Sequence, residues 1–268
     1  MKWLTLGLTL LLPVTAMAEV KHLARFQYNN QISYGEIQGE FIQPLSGNLF
    51  TQLTTTGKKI ALNDVDLILP TDAQKVFAVG MNFDSHLSSP SNAPPPMFLK
   101  LPTSLIPSGQ VIQIPAGATN VHFEGELVLI IGKKTKHISE SEAESAIFAV
   151  TVGNDLTERN WQSSDLQWMR SKASDGFGPI SPIMAIGVDF NNVLLTTKLN
   201  GQVVQQENTK YMIHKPAKVI SYLSQYYTLM PGDLIFMGTP GRTKALKNGD
   251  KVSVTIEQVG TVENEIRY

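Results

Sequence analysis

Hydrophobic and polar residues alternate along much of the chain with a period of two, the spacing of half-buried strands. KVSVTIE (Lys251 to Glu257) alternates cleanly, and LLTTKLNGQVVQQ (Leu194 to Gln206) reads as a hairpin turning at Asn200-Gly201. Residues 19–70 carry shorter stretches of the same alternation, with turn signals at Asn29-Asn30 and Ser46-Gly47. Two runs, VFAVG (Val76 to Gly80) and LVLIIG (Leu127 to Gly132), are apolar throughout and predict buried strands. Helical signals occur twice. Ser139 and Glu142 form a capping box before an apolar-spaced segment ending near Val150. Pro216 stands at a first helical position ahead of Val219, Ile220, Leu223 and Tyr227, and Pro231-Gly232 ends the element. Strands outnumber helices. The expected class is therefore mostly β with a few helices (α+β), in a rolled or sandwiched mixed sheet.

Composition shifts at Leu69-Pro70-Thr71-Asp72, which divides a small N-terminal β domain (19–70) from a larger one (71–268). A Pro-rich run, Pro90 to Pro96, follows His86 and reads as a stiff polar loop. The chain opens MKWLTLGLTLLLPVTAMAEV: a cation at Lys2, an apolar stretch, then Ala16-Met17-Ala18. That is the pattern of a secretory signal peptide over 1–18, cut after Ala18, which predicts an exported, periplasmic protein without a stable membrane anchor. The apolar run falls short of the ~20 residues needed to span a bilayer.

The 268 residues carry 22 Lys+Arg against 23 Asp+Glu, a formal net charge of −1, so no surplus of cations speaks for nucleic acid. Cysteine is absent, which removes disulfides, thiolate metal sites and Cys nucleophiles. Neither a G-x-S-x-G elbow, a phosphate-binding glycine loop nor an H-E-x-x-H motif occurs.

The candidate chemistry lies in acids. Glu124 and Glu126 stand two apart at the entry to the apolar strand, so both face one side of it. Spacing alone fits a solvent-facing pair, or a pair that needs a cation between its members. A third acid, Asp155, follows Gly153-Asn154, where a second strand would end. Two Glu and one Asp make an all-oxygen set suited to Mg²⁺ or Mn²⁺ and unlike structural zinc.

In order, GMNFDSH, PMFLK, FEGELVLIIGK, VGNDLTERNWQ, SKASDGFGPISP, LNGQVVQ, LMPGDLIFMGTPG and NGD resemble the fumarylacetoacetate hydrolase superfamily over roughly residues 75–268. The resemblance implies that Glu124, Glu126 and Asp155 bind Mg²⁺ or Mn²⁺, and that the metal acts as a Lewis acid on a small 2-oxo acid. It implies that Lys172 faces the substrate and stabilises developing negative charge. Arg159 and Gln162 would orient water or a substrate carboxylate, and Thr239 in Gly238-Thr239-Pro240-Gly241 would contact that carboxylate. Homodimers are common in the family.

Hydrolytic relatives pair a histidine at the position of His86 with a glutamate three residues on, and here that place holds Ser89. An imidazole titrating near neutrality suits proton transfer, and a partner acid would help it activate water. The expected function is an exported Mg²⁺-dependent hydrolase cleaving a carbon–carbon bond in an acylpyruvate-like 2-oxo acid through a metal-stabilised enolate, with Lys172, His86 and Gln162 catalytic. The alternatives are isomerisation or tautomerisation of an unsaturated 2-oxo dioic acid, and a degenerate protein that holds metal or keto acid without turnover. His122, two residues before Glu124, reads as a packing residue.

Overall fold

A computed structural model describes residues 19–86 and 93–268. The expected signal peptide and Ser89 lie outside the described residues. The chain is mostly β. The main path of its large sheet runs, by residues, 52–55, 41–48, 31–38, 21–28, 183–186, 147–154, 125–131, 234–236, 76–79 and 97–100. A five-stranded sheet, in the order 111–113, 260–267, 251–256, 194–199, 202–208, packs against it. Both parallel and antiparallel pairs occur, as a mixed sheet requires.

The unbroken apolar run at Leu127 has its cause in this layering. Leu127, Leu129 and Ile131 point into a core shared with Leu195, Val254 and Ile256 of the five-stranded sheet and with Val219, Ile220 and Leu223 of the Pro216–Tyr226 helix. Val128 and Ile130 point the other way, against Phe236, Ile180 and Met184. A strand buried on both faces has no polar side to alternate with. Each such buried aliphatic side chain contributes roughly 1.5–3 kcal/mol, and the first of these two cores joins the two sheets.

The N-terminal strands extend the large sheet. Lys21–Tyr28 pairs antiparallel with Ile183–Ile186, Lys21 facing Ile186 and Ala24 facing Ile183. Asn29 and Asn30 both adopt positive φ (49° and 61°), as a tight hairpin turn needs. Two local expectations are corrected. Ser46-Gly47 lies inside the Phe41–Asn48 strand, and the chain turns just after it, because Gly47 (φ +106°) lets the partner strand approach so closely that a Cβ would stand 2.3 Å from the Gln52 carbonyl. The helix after Ser139 is a single turn, Glu140–Ala143, followed by a 3₁₀ turn and then by the strand Ile147–Asn154. There the Ser139 hydroxyl donates to the Glu142 carboxylate at 2.5 Å and caps no backbone N–H, so the capping box does not form. Among the described residues no helix is long and apolar enough to cross a membrane.

Candidate metal centre and active site

The register between Gly125–Ile131 and its antiparallel neighbour Ile147–Asn154 assembles the centre. Gly125 faces Asn154 and Glu126 faces Gly153, so one step further along the ladder Asp155 stands opposite Glu124. The Asp155 N–H donates to the Glu124 carbonyl at 2.8 Å, and the Asn154 side chain accepts the Glu124 N–H at 2.8 Å. The three carboxylates are buried, and ligand oxygens from all three lie within 4.8 Å of one another. Three like charges that close repel by roughly 3.5 kcal/mol per pair at an effective dielectric of about 20, and burial sharpens the conflict.

Basic side chains answer part of that charge. Lys172, on the short helix Met169–Ala173, donates to Glu124 Oε2 and Asp155 Oδ2, each at 2.5 Å. Arg159 Nη2 reaches Glu124 Oε1 at 2.5 Å and Thr243 Oγ1 at 2.9 Å, while its Nη1 donates to Gln162 Oε1 at 2.8 Å. Arg159 opens a helix capped by Glu158, whose carboxylate takes the Trp161 N–H at 2.6 Å and the Asn120 N–H at 2.8 Å. Glu158 is thus a structural acid, outside the metal set. His122 bonds Thr243 Oγ1 at 2.9 Å and Asn120 at 3.0 Å, one step removed from Arg159.

Glu126 has no salt bridge among the described residues. Its Oε2 accepts the Gly238 N–H at 2.7 Å. Glycine is required there: φ is +91° and a Cβ would stand 2.7 Å from that of Asn82. Burial, then repulsion from Asp155 and Glu124, pushes the Glu126 carboxyl well above its usual range. Burial also works against ionised Glu124, but Lys172 and Arg159 outweigh it and hold that carboxyl down at about 2. Burial alone would lower the Lys172 ammonium, yet Asp155 and Glu124 raise it, so Lys172 stays charged. The donor set fits a hard divalent cation. It offers three buried carboxylates, one of them without a cationic partner, and neither sulfur nor imidazole.

A cavity of about 300 Å³ opens over the acids. Glu124, Glu126, Arg159, Gln162, Lys172 and Thr239 line it, so every expected site residue whose side chain is described reaches it except Asp155. Asp155 lies beneath, fully buried. Thr239 Oγ1 accepts from Gln205 Nε2 at 3.0 Å. His86 closes a 3₁₀ turn, Asp84–His86, that is tied to the GTPG loop: the Gly241 N–H donates to Ser85 Oγ at 2.9 Å, and Ser85 in turn donates to Glu207.

Several functional neighbours escaped the sequence reading. Lys100, within PMFLK, is buried with its ammonium on Asp155 Oδ1 at 2.6 Å, on the Lys172 carbonyl and on the Phe177 carbonyl at 3.0 Å. All three of its donors are used. Phe98, two residues earlier on the strand, and Trp168 also line the cavity, with Val79, Gly80 and Met81. The alternation of PMFLK was the available signal: Phe98 and Lys100 share a face.

Comparison with known proteins agrees with the geometry. Residues 75–267 match the family model "Fumarylacetoacetate (FAA) hydrolase C-terminal", and residues 21–70 match "Rv2993c-like, N-terminal". The structure is similar to that of 2-hydroxyhepta-2,4-diene-1,7-dioate isomerase from Mycobacterium marinum, with a TM-score of 0.87 and 36% identity over 92% of this chain and 98% of that one. A fumarylpyruvate hydrolase from Pseudomonas aeruginosa, solved with Mn²⁺ and pyruvate, is similar at a TM-score of 0.69 and 27% identity, covering 74% of this chain and 91% of the other. The human mitochondrial oxaloacetate tautomerase FAHD2A is 33% identical over 76% of this chain and 70% of its own length.

Proposed function

Because the chain belongs to the fumarylacetoacetate hydrolase family, we propose that it is a metal-dependent isomerase or tautomerase of a small 2-oxo acid. The carrying observation is Lys172, an ammonium held charged within 2.5 Å of two of the three clustered acids, at the floor of the cavity. Mg²⁺ or Mn²⁺ held by Glu124, Glu126 and Asp155 would supply Lewis acidity that lowers the cost of enolate charge.

The chain's own residues divide the remaining work. Arg159, Gln162 and Thr239 bind and orient the substrate's carboxylate. Lys172 faces the oxygen on which charge develops and stabilises it there. His86 exchanges the proton at C3. In going from enol to keto form the C=C pair makes the new C–H bond, the O–H pair becomes the carbonyl, and the hydroxyl proton is released. No water is consumed, so the reaction does not need the acid that hydrolytic relatives place where Ser89 stands. That difference moves the reading from hydrolysis, the first expectation, to isomerisation, in keeping with the tautomerase and the isomerase among the relatives at 33–36% identity.

Carbon–carbon bond hydrolysis of an acylpyruvate is the second reading, favoured by the similarity to a fumarylpyruvate hydrolase. Export through residues 1–18 and a homodimeric state belong to the proposal. N-terminal sequencing of a periplasmic fraction and the mass in solution test them.

The deciding experiment follows the enol absorbance of oxaloacetate, acylpyruvates and an unsaturated 2-oxo dioate with the purified protein, with and without Mg²⁺ or Mn²⁺, and identifies products. Metal-dependent conversion of enol without cleavage, abolished in Glu126→Gln and Lys172→Met, supports the proposal. Metal-dependent cleavage replaces it with the second reading. Metal binding with no turnover of any of these acids leaves a binding protein.

A further inference from the structure

The described lining of the cavity is of two kinds. Its two lining cations among the described residues, Arg159 and Lys172, both lie on Glu124. Val79, Gly80, Met81, Phe98 and Trp168 make up the rest of the described lining with Glu126, Gln162 and Thr239. Trp168 holds φ at +57°, a region bulky residues rarely enter, and is the N-cap of the helix that carries Lys172. Its indole stands edge-on to the Phe98 ring, with centroids 5.6 Å apart at 71°. A Cβ on Gly80 would stand 3.9 Å from the indole, so the ring lies close over that stretch of backbone. Phe98 is continuous with the reacting end, its centroid 4.8 Å from Lys172 Nζ. An unfavourable backbone at a ligand wall is a place where strain serves a function.

We infer that the substrate is a 2-oxo acid whose far end is flat and uncharged, an aryl or alkenyl group, and that Phe98 and Trp168 are the residues that select it. This rests on the 2-oxo acid reading above. A flat group stacks on an aromatic corner in offset or edge-to-face geometry. A second carboxylate placed against these rings meets apolar carbon in place of water, and the two lining cations among the described residues are already engaged by Glu124. The wall therefore favours mono-acids with a conjugated tail over dioic acids of the same length.

Three unreactive oxamates share the 2-oxo acid head and differ only in the tail: oxamate, N-phenyloxamate and N-oxalylglycine. Calorimetric titration of each into the Mn²⁺-loaded protein separates head from tail. N-phenyloxamate is expected to bind about tenfold tighter than oxamate or better, and N-oxalylglycine no tighter than oxamate. Trp168→Ala, with Trp168→Leu as the variant that keeps apolar volume, should remove most of the phenyl gain while leaving oxamate affinity within about twofold. Phe98→Leu should remove part of it. N-oxalylglycine binding tightest, or a phenyl gain that survives Trp168→Ala and Trp168→Leu, overturns the inference and leaves the 2-oxo acid reading standing. Oxamate that fails to bind at all overturns both.

Discussion

Asp155 stands directly across the antiparallel ladder from Glu124, its N–H on the Glu124 carbonyl at 2.8 Å. This pairing turns two acids two apart on one strand into a three-acid cluster, because cross-strand partners share a face. Gly125, between the two glutamates, faces the other way, and a Cβ there would stand 2.3 Å from Thr197 Oγ1 and 2.8 Å from Val254 Cγ1. The five-stranded sheet thus presses on the back of the metal strand. Gly125→Ala should destabilise the fold by about 1–3 kcal/mol and weaken metal binding by displacing both glutamates. Denaturant melts and Mn²⁺ titration of the same variant check this, and metal affinity unchanged in a destabilised variant would show that the sheet contact does not set the ligand geometry.

The two glutamates should make opposite contributions to the pH dependence of the metal-free protein. Glu126, raised well above its ordinary 4.5, contributes stability that is full below 4.5 and lost as pH rises through its folded value. Glu124, held at about 2, contributes stability present above 4.5 and lost as pH falls toward 2. Chelator-treated protein should therefore lose stability as pH is raised from 4.5, and Glu126→Gln should flatten that decline. Metal binding must displace the Glu126 proton, so the rise in Tm produced by Mn²⁺ should grow with pH. A Tm gain independent of pH, or heats of binding that do not vary with the buffer's ionisation enthalpy, would contradict the assignment.

Much of this site is legible in the sequence because its distances are local. Glu124 and Glu126 need only strand periodicity, and Asp155 needs one tight antiparallel pair, whose connection holds the short helix marked by Ser139. The hairpin at Asn200-Gly201 and the helix from Pro216 are legible for the same reason. Lys100 is not: its partners lie 55, 72 and 77 residues away, and nothing in PMFLK distinguishes a buried lysine from a solvated one. Trp168 is hidden differently, since its left-handed backbone breaks the usual preference for glycine or asparagine. The capping box that does not form shows the limit from the other side. The following residues are claimed by the sheet at Ile147, and the tertiary pairing outweighs the local helix signal.

Arg159 spends its guanidinium fork on three partners, Glu124, Thr243 and Gln162. A lysine amine cannot span Nη1 and Nη2 positions at once. Arg159→Lys should then release Gln162 and raise KM for the 2-oxo acid several-fold, with kcat reduced less. Its thermal stability should stay within about 1 kcal/mol of the parent, because the guanidinium is partly exposed. Steady-state kinetics at saturating metal check the split, and a loss confined to kcat would make Arg159 a reacting group instead of a binding one.

Lys100 is the strongest test of how the metal set is held. Its ammonium joins three elements: the strand Met97–Lys100, Asp155 and the carbonyl of Lys172. With Lys100 on Oδ1 and Lys172 on Oδ2, Asp155 is fixed from both sides. Lys100→Met keeps the stem and deletes the charge, leaving a buried carboxylate oxygen and two carbonyls without that donor. Removing one member of a buried pair costs about 3–5 kcal/mol, and losing a partner that orients a ligand costs about 10–100-fold in metal affinity. Both losses are expected. Mn²⁺ should recover part of the lost Tm by supplying the missing positive charge next to Asp155. A variant as stable as the parent that binds Mn²⁺ equally well would mean that Asp155 is positioned by its backbone and Lys172 alone.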